Sequence, residues 1–326
     1  MMMAPAHWTS RSAPQAWLLL PISWLYRLLM LLRLSAVNPV ALGVPVLCVG
    51  NNTVGGAGKT PTAIALCHLL IAMGKHPHVI SRGYKGNYTS PVVRVDPDTH
   101  TAAEVGDEPL LIARHAPCWV AKRRLNAAHA AIAAGAYIIV MDDGLQNPSI
   151  VKDFTILVVD GSYGFGNRFM MPAGPCREPV RISMKKADAV LIMGEETNAA
   201  IRCNVPSHVP IFTGRLIPDS SLSLKDKQVY AFAGIAHPDK FFATLAQMGA
   251  TMVHTAYFAD HHHFSTAELQ RLAQEASEQQ AQLVTTEKDF VRLPETFRKQ
   301  VIAVPVLLDL DHKDAFNSLL QNQVIG

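Results

Sequence analysis

The chain has 326 residues, 49% hydrophobic and 17% charged, with 29 Lys and Arg against 26 Asp and Glu for a formal net charge of +3. That length suits two domains or one large one, the mean hydropathy of +0.15 is high for an ordinary soluble enzyme, and no nucleic-acid partner is expected. Five scattered cysteines, Cys48, Cys67, Cys118, Cys176 and Cys203, make no C-x-x-C, which excludes a disulfide frame and a zinc site and implies a reducing compartment.

The charge is unevenly placed. Eight basic residues, from Arg11 to Arg94, precede the first acid, Asp96. A basic N-terminal portion suits an anionic partner: a nucleotide, a phospholipid surface or a phosphorylated substrate.

In chain order, residues 1–15 are polar and irregular and are expected to be disordered. Ala16 to Leu34 is apolar almost all round, with Trp17, Trp24 and Tyr26 among leucines, Pro21 near its start, and Arg27 and Arg33 toward its end. A bilayer-spanning helix wants about 20 apolar residues, and a charge at its centre is costly. Aromatics and arginines at headgroup depth instead predict a helix lying in, or dipping into, the cytoplasmic face of a membrane. A buried core helix is the other reading; a cleaved export signal fits badly with the motif that follows.

That motif is Val44 to Thr62, VPVLCVGNNTVGGAGKTPT. A short Val-rich run reads as a buried parallel strand. Glycines, Lys59-Thr60 and a helical pattern from Ala63 to Met73 follow. Strand, Gly-rich loop, Lys-Thr and helix form the phosphate cradle of P-loop NTPases, because backbone N–H groups wrap a phosphate only where side chains stay out of the way. Lys59 is expected on the β/γ phosphates and the Thr60 hydroxyl on Mg²⁺. The strict spacing wants glycine where Thr53 stands, so the loop is a variant.

Pro77 to Ser81 reads as a strand that ends in Arg82-Gly83-Tyr84-Lys85-Gly86, a loop at the strand end where open α/β sheets bind ligands. Val92 to Val95 is strand-like. Asp107 and Glu108 precede the apolar helix Leu110 to His115; two carboxylates there either complement the helix macrodipole or supply a base for phosphoryl transfer. Lys122-Arg123-Arg124 lead into a helix from Asn126 to Ala134. Tyr137 to Met141 is an apolar strand ending in Asp142-Asp143-Gly144, the pattern of a Walker B carboxylate that holds Mg²⁺ or its water. Phe154 to Val159 and Ala189 to Met193 are further strands, separated by a long Gly-rich loop ending in Arg177-Glu178.

Near Pro218 to Lys227 the composition turns polar, which puts a domain boundary there. Beyond it come strands at Gln228–Ala233, Thr251–Tyr257, Leu283–Thr286 and Val301–Leu308, with helices at Asp239–Met248, from Ser265 to about Gln280, and at Ala315–Leu320. Apolar strands alternating with helices predict parallel sheets. His261, His262 and His263 are adjacent at a strand end and point different ways, so one histidine orienting a carboxylate or touching phosphate is a better expectation than a metal.

The motifs GNNTVGGAGKTP, SRGYKG, VGDEP, MDDGLQ, GPCREP, FADHHHF and TTEKD, in this order over nearly the whole chain, resemble those of the tetraacyldisaccharide 4′-kinases. The resemblance implies an α/β fold: a membrane-associated helix in residues 1–36, a P-loop kinase domain with a parallel sheet in 37–222, and a smaller α/β domain in 223–326. It implies ATP- and Mg²⁺-dependent transfer of the γ-phosphoryl group to the 4′-hydroxyl of a tetraacyldisaccharide 1-phosphate. The product would be lipid IV-A, an intermediate in lipid A biosynthesis, formed at the cytoplasmic face of the bacterial inner membrane without an obligatory protein partner. Carried to matching positions, Asn52, Thr53, Val54, Gly55, Gly56, Ala57, Gly58, Lys59 and Thr60 hold the nucleotide phosphates, with Arg82, Tyr84, Arg177 and Glu178 lining the site. Asp107 matches the base and His261 its partner from the other domain, with His262 a second candidate. Thr60, Glu108, Asp142 and Asp143 match the metal side. Leu145 stands where the family often has an aromatic. A membrane-docked switch ATPase acting on a protein accounts for the P-loop, Asp142 and the apolar helix, but not for Asp107 and His261 together; a switch would hydrolyse nucleotide without a lipid acceptor.

Overall fold

The computed structural model describes residues 5–325. After two N-terminal helices, α1 (Pro14–Leu18) and α2 (Leu20–Ser35), the chain enters a run of strands and helices: β1 (Val46–Gly50), α3 (Lys59–Ala72), β2 (Pro77–Ser81), β3 (Val93–Val95), α4 (Ala102–Val105), α5 (Asp107–Ile112), β4 (Cys118–Val120), α6 (Arg124–Ala133), β5 (Ile138–Asp142), β6 (Phe154–Asp160), α7 (Val180–Lys186), β7 (Ala189–Met193) and β8 (Ile211–Pro218). A second run follows: β9 (Gln228–Ala233), α8 (Pro238–Gln247), β10 (Thr251–Tyr257), α9 (Thr266–Glu278), β11 (Gln282–Thr286), α10 (Glu287–Phe290), α11 (Glu295–Arg298) and β12 (Val301–Val304). The chain closes with β13 (Val306–Leu310) and α12 (Lys313–Leu320).

These strands form two sheets. The larger has nine strands in the order β13-β8-β7-β6-β1-β5-β2-β4-β3. Its interior is parallel; only the edge pairs β3–β4 and β13–β8 are antiparallel. Strands β1, β2, β5 and β7 are buried along their whole length, as parallel strands covered on both faces must be. The strand order reverses at β1, and the crevice that such a reversal leaves lies beyond the strands' carboxyl ends. The smaller sheet, β10-β9-β11-β12, is wholly parallel, with Phe241, Phe242 and Leu245 packed on one face and Leu269, Leu272 and Phe297 on the other.

Three expectations are corrected. The predicted strand Val301–Leu308 is two strands in different sheets, because Pro305 has no N–H with which to continue a ladder. The second domain therefore does not run from 223 to 326: β13 returns to the large sheet, and Phe316 and Leu320 of α12 lie in its core. Strand β8, unforeseen from sequence, pairs with β13 in the register Val306↔Pro218, and the Asp219 N–H donates to the Pro305 carbonyl at 2.9 Å. The two units are thus joined by a two-stranded ribbon rather than a single linker. Residues 5–15, expected to be disordered, pack on the loop before α7: the Trp8 indole N–H donates to the Pro172 carbonyl at 3.0 Å and the Asn167 N–H donates to the Trp8 carbonyl at 2.6 Å. The rest of that expectation, residues 1–4, lies outside the described residues.

Phe316 stacks edge-on against Phe212 of β8 at 5.0 Å between ring centroids. Phe316→Ala is expected to cost about 3–5 kcal/mol, read from denaturant unfolding; a loss under about 1 kcal/mol would mean that α12 is not part of the first unit's core.

Candidate active site

The crevice is built on the loop between β1 and α3. Gly58 is the N-cap of α3 at φ +86°, a left-handed conformation that L side chains rarely adopt, and an added Cβ would press on Met193 at 3.1 Å. Among the described residues, the N–H groups of Gly55, Gly56, Ala57, Gly58, Lys59 and Thr60 donate to no other backbone group. They cluster at the positive end of a 14-residue helix, the arrangement that receives phosphate. The start of the loop is clamped from outside: the Val54 N–H donates to the Pro175 carbonyl at 2.9 Å, Thr53 bridges Cys176, and the Arg177 N–H donates to the Asn52 carbonyl at 2.7 Å.

Strand β5 delivers two aspartates with opposite surroundings. Asp143, at φ +48°, accepts both carboxylate bonds from Nη1 of Arg177 at 2.8 and 2.9 Å and has Lys59 Nζ at 3.8 Å. Burial raises its pKa, but Lys59 and Arg177 outweigh it and hold the carboxyl below its usual range. Asp142 is fully buried and neither of its oxygens has a hydrogen-bond donor among the described residues. Burial, with Glu108 and Asp143 close by, pushes its carboxyl up. A desolvated carboxylate without a donor is expensive, and a hard cation is the partner that would relieve it. Mg²⁺ needs only one or two carboxylates beside water and phosphate oxygens. Among the described residues no three His, Cys, Asp or Glu are grouped so as to hold an ion by themselves. Asp142 and Thr60 would hold such an ion.

The third part faces this floor from α5. Gly106, at φ +92°, is its N-cap, and a Cβ there would meet the Tyr84 carbonyl at 2.8 Å; that tight turn aims Asp107, 5% exposed, at the second unit. Nδ1 of His261 lies 2.8 Å from Oδ2 of Asp107, so the imidazole N–H donates to the carboxylate. Its Nε2 lies 3.2 Å from Lys288 Nζ. Arg292 donates to the same Oδ2 from Nε at 2.9 Å and Nη2 at 2.6 Å, while Oδ1 accepts the Glu108 N–H at 3.0 Å. Burial works to raise the Asp107 pKa, yet His261, Arg292 and Lys288 together hold the carboxyl well below the usual range. Tyr84 sits edge-on to the His261 ring at 6.1 Å.

The structure thus brings together Lys59, Thr60, Asp142, Asp143 and Arg177 at one wall and Asp107 and His261 at the other, with Glu108 between. Arg82 and Tyr84 are exposed on the loop beside Asp107. Glu178 does not line the crevice: its buried carboxylate accepts from Lys186, Ser183 and Gln146, and its N–H donates to the Asn52 side chain, which braces the P-loop from beneath. His262, the second candidate for Asp107, turns away to Glu268 at 3.1 Å and packs on Phe258 and Phe264. Sequence reasoning missed two buried arginines. Arg124 donates to the Asp142 carbonyl at 3.1 Å, and Arg292 is described above. Neither stands in a pattern that separates it from a surface arginine; only the polar residues around TTEKD hinted at the second.

Comparison with known proteins covers almost the whole chain. The family model for tetraacyldisaccharide-1-P 4′-kinase matches residues 15–325. The tetraacyldisaccharide 4′-kinase of Rhodospirillum centenum is 46% identical over 333 residues, covering 100% of this chain and 98% of that protein. That of Jannaschia sp. is 44% identical over 329 residues, covering 100% of both. Among solved structures, LpxK from Aquifex aeolicus, crystallised in complex with ATP, superposes with a TM-score of 0.75 at 24% identity, covering 95% of this chain and 99% of that one. This last likeness carries the fold.

Adding Mg²⁺ with ATP is expected to raise the unfolding midpoint of the wild-type chain beyond ATP alone, as a ligand at 100 times its Kd adds about 2.7 kcal/mol. Asp142→Asn should lose the Mg²⁺ increment and Lys59→Ala most of the ATP increment. An intact Mg²⁺ increment in the Asp142 variant would remove that carboxylate from the metal side.

Proposed function

Because the chain belongs to the tetraacyldisaccharide-1-P 4′-kinase family, we propose that it transfers the γ-phosphoryl group of ATP to the 4′-hydroxyl of a tetraacyldisaccharide 1-phosphate, yielding lipid IV-A for lipid A biosynthesis. The observation that carries the mechanism is the 2.8 Å contact between Asp107 of one unit and His261 of the other, across the crevice from the P-loop.

Phosphoryl transfer asks a protein mainly for positioning and charge neutralisation. The free N–H groups of residues 55–60 and Lys59 grip the triphosphate. Arg177, already seated on Asp143 beside Lys59, brings positive charge to the edge where the γ-phosphoryl group departs. Asp142 and Thr60 would hold Mg²⁺, which would supply charge neutralisation at the phosphate oxygens. The sugar hydroxyl approaches from the opposite wall. Its proton passes to the Asp107 carboxylate, whose Oδ1 accepts only the Glu108 N–H among the described residues while Oδ2 is held by the imidazole and by Arg292. A strong base is not required, because the hydroxyl proton moves late in a loose transition state. With the pair divided between two units on a ribbon hinge, closure completes the site and keeps water from the phosphoryl group.

The acceptor is an acylated sugar, and α1 and α2 supply a surface for it. Trp17, Leu18, Trp24, Leu25, Leu28 and Leu32 are all more than half exposed. No helix among the described residues is long and apolar enough to cross a membrane. We infer that this face lies in the cytoplasmic leaflet of the bacterial inner membrane, with Arg27 and Arg33 at headgroup level. The helix is also wired to the site: Ser23 donates to the Met170 carbonyl at 2.9 Å and accepts the Ala173 N–H at 3.1 Å, in the loop that ends at Arg177.

Incubation with γ-labelled ATP and the lipid disaccharide should move label to the lipid, with little ATP hydrolysed in its absence; acceptor-independent hydrolysis would favour a switch ATPase. Asp107→Ala should lower kcat by about 10²–10⁴ with KM for ATP near wild type; normal turnover would take Asp107 out of the chemistry. Leu28→Glu with Leu32→Glu should release the protein from anionic phospholipid vesicles in a flotation assay without altering its unfolding midpoint, and unchanged flotation would mean that this face does not meet the bilayer.

A further inference from the structure

Arg292 follows α10 in the second unit, and its side chain is 4% exposed. Every edge of its guanidinium is used. Nε and Nη2 donate to Oδ2 of Asp107. Nη1 donates to the Gly234 carbonyl at 3.0 Å and to Oδ1 of Asp289 at 2.9 Å. The Gly234 carbonyl also accepts the His261 N–H at 3.2 Å, which helps hold that histidine at φ +59°, where non-glycine residues rarely rest. Asp289 is itself pinned, its Oδ2 accepting from the Gly234 N–H at 3.0 Å and from the Thr286 hydroxyl at 2.7 Å. One planar cation therefore grips the carboxylate of the first unit with one edge. With the other it grips the backbone turn that presents the imidazole.

We propose that Arg292 is a positioning residue for phosphoryl transfer: it docks the second unit on Asp107 and sets that carboxylate and the His261 imidazole in register across the crevice. The inference rests on the phosphoryl-transfer reading above, because Arg292 acts only through that pair. A plain stabilising ion pair would need no more than Asp289, three residues away in the same unit. The reach to Asp107, 185 residues away in the chain, serves the pair. Lysine is a poor substitute, since a single ammonium cannot span both the carboxylate and the Gly234–Asp289 side of the fork.

The test measures label transfer from γ-labelled ATP to the lipid disaccharide by the full-length wild type and by Arg292→Ala, Arg292→Lys, Asp107→Asn and the Asp107→Asn/Arg292→Ala double variant, with thermal unfolding in parallel. Arg292→Ala should lower kcat by about 100-fold, the scale of a general-base contribution, with KM for ATP within about twofold. Arg292→Lys should fall between it and the wild type, and added guanidinium ion should restore part of the alanine variant's turnover. In the Asp107→Asn background, followed long enough to measure residual transfer, losing Arg292 should cost little more, because residues acting as a unit are not additive. The proposal is overturned if Arg292→Ala lowers the unfolding midpoint but leaves kcat within about threefold, or slows the Asp107→Asn variant by the same factor as the wild type. If the alanine variant does not fold, Arg292→Lys decides: unchanged kcat in a folded lysine variant overturns the proposal. A wild type that binds ATP but never labels the lipid defeats the phosphoryl-transfer reading itself, and this inference falls with it.

Discussion

One oxygen, Oδ2 of Asp107, receives three N–H donors from the second unit: one from His261 and two from Arg292. Burying a carboxylate so deeply is tolerable only because those donors replace its water, and burying Arg292 is tolerable only because two carboxylates and a carbonyl surround it. Each side of the contact would be a desolvated charge without the other. The contact ties the two units together at the point where the chemistry is proposed, while the ribbon of β8 and β13 leaves them joined but distinct.

The opposite wall is built on the reverse logic. Asp143 is neutralised by Lys59 and Arg177, whereas Asp142 beside it is left without a donor. Two adjacent residues of like charge are thus given different surroundings: one is held by Lys59 and Arg177, the other keeps an unmet demand for positive charge. The N–H groups of the P-loop are a matching demand for negative charge. Unmet polar groups of this kind are common where a ligand completes a structure.

The apolar N-terminal helices are connected to that wall. Ser23 ties α2 to the loop whose far end clamps Asn52 and Thr53 and sends Arg177 to Asp143. A surface suited to lipid and a cradle suited to phosphate therefore share one loop.

The P-loop, the aspartates ending β5, most strands and the exposed character of α2 were legible in the residues alone. Each is written in a stretch of a few to twenty residues by local rules: glycine where the backbone must approach a ligand, continuous apolar runs where a strand is covered on both faces, an acid at a strand's end. The pairing of Asp107 with His261 was anticipated only by family resemblance. The role of Glu178 as a brace, the departure of His262 toward Glu268, the split of Val301–Leu310 at Pro305 and the place of Arg292 were decided by the tertiary structure. The partners that decide most of these lie far along the chain, as Asn52 does from Glu178 and Asp107 from Arg292, although Glu268 is near His262; nothing within a short stretch marks which buried arginine meets which carboxylate. Sequence periodicity says which face of an element is buried; only the completed packing of two sheets says what that face meets.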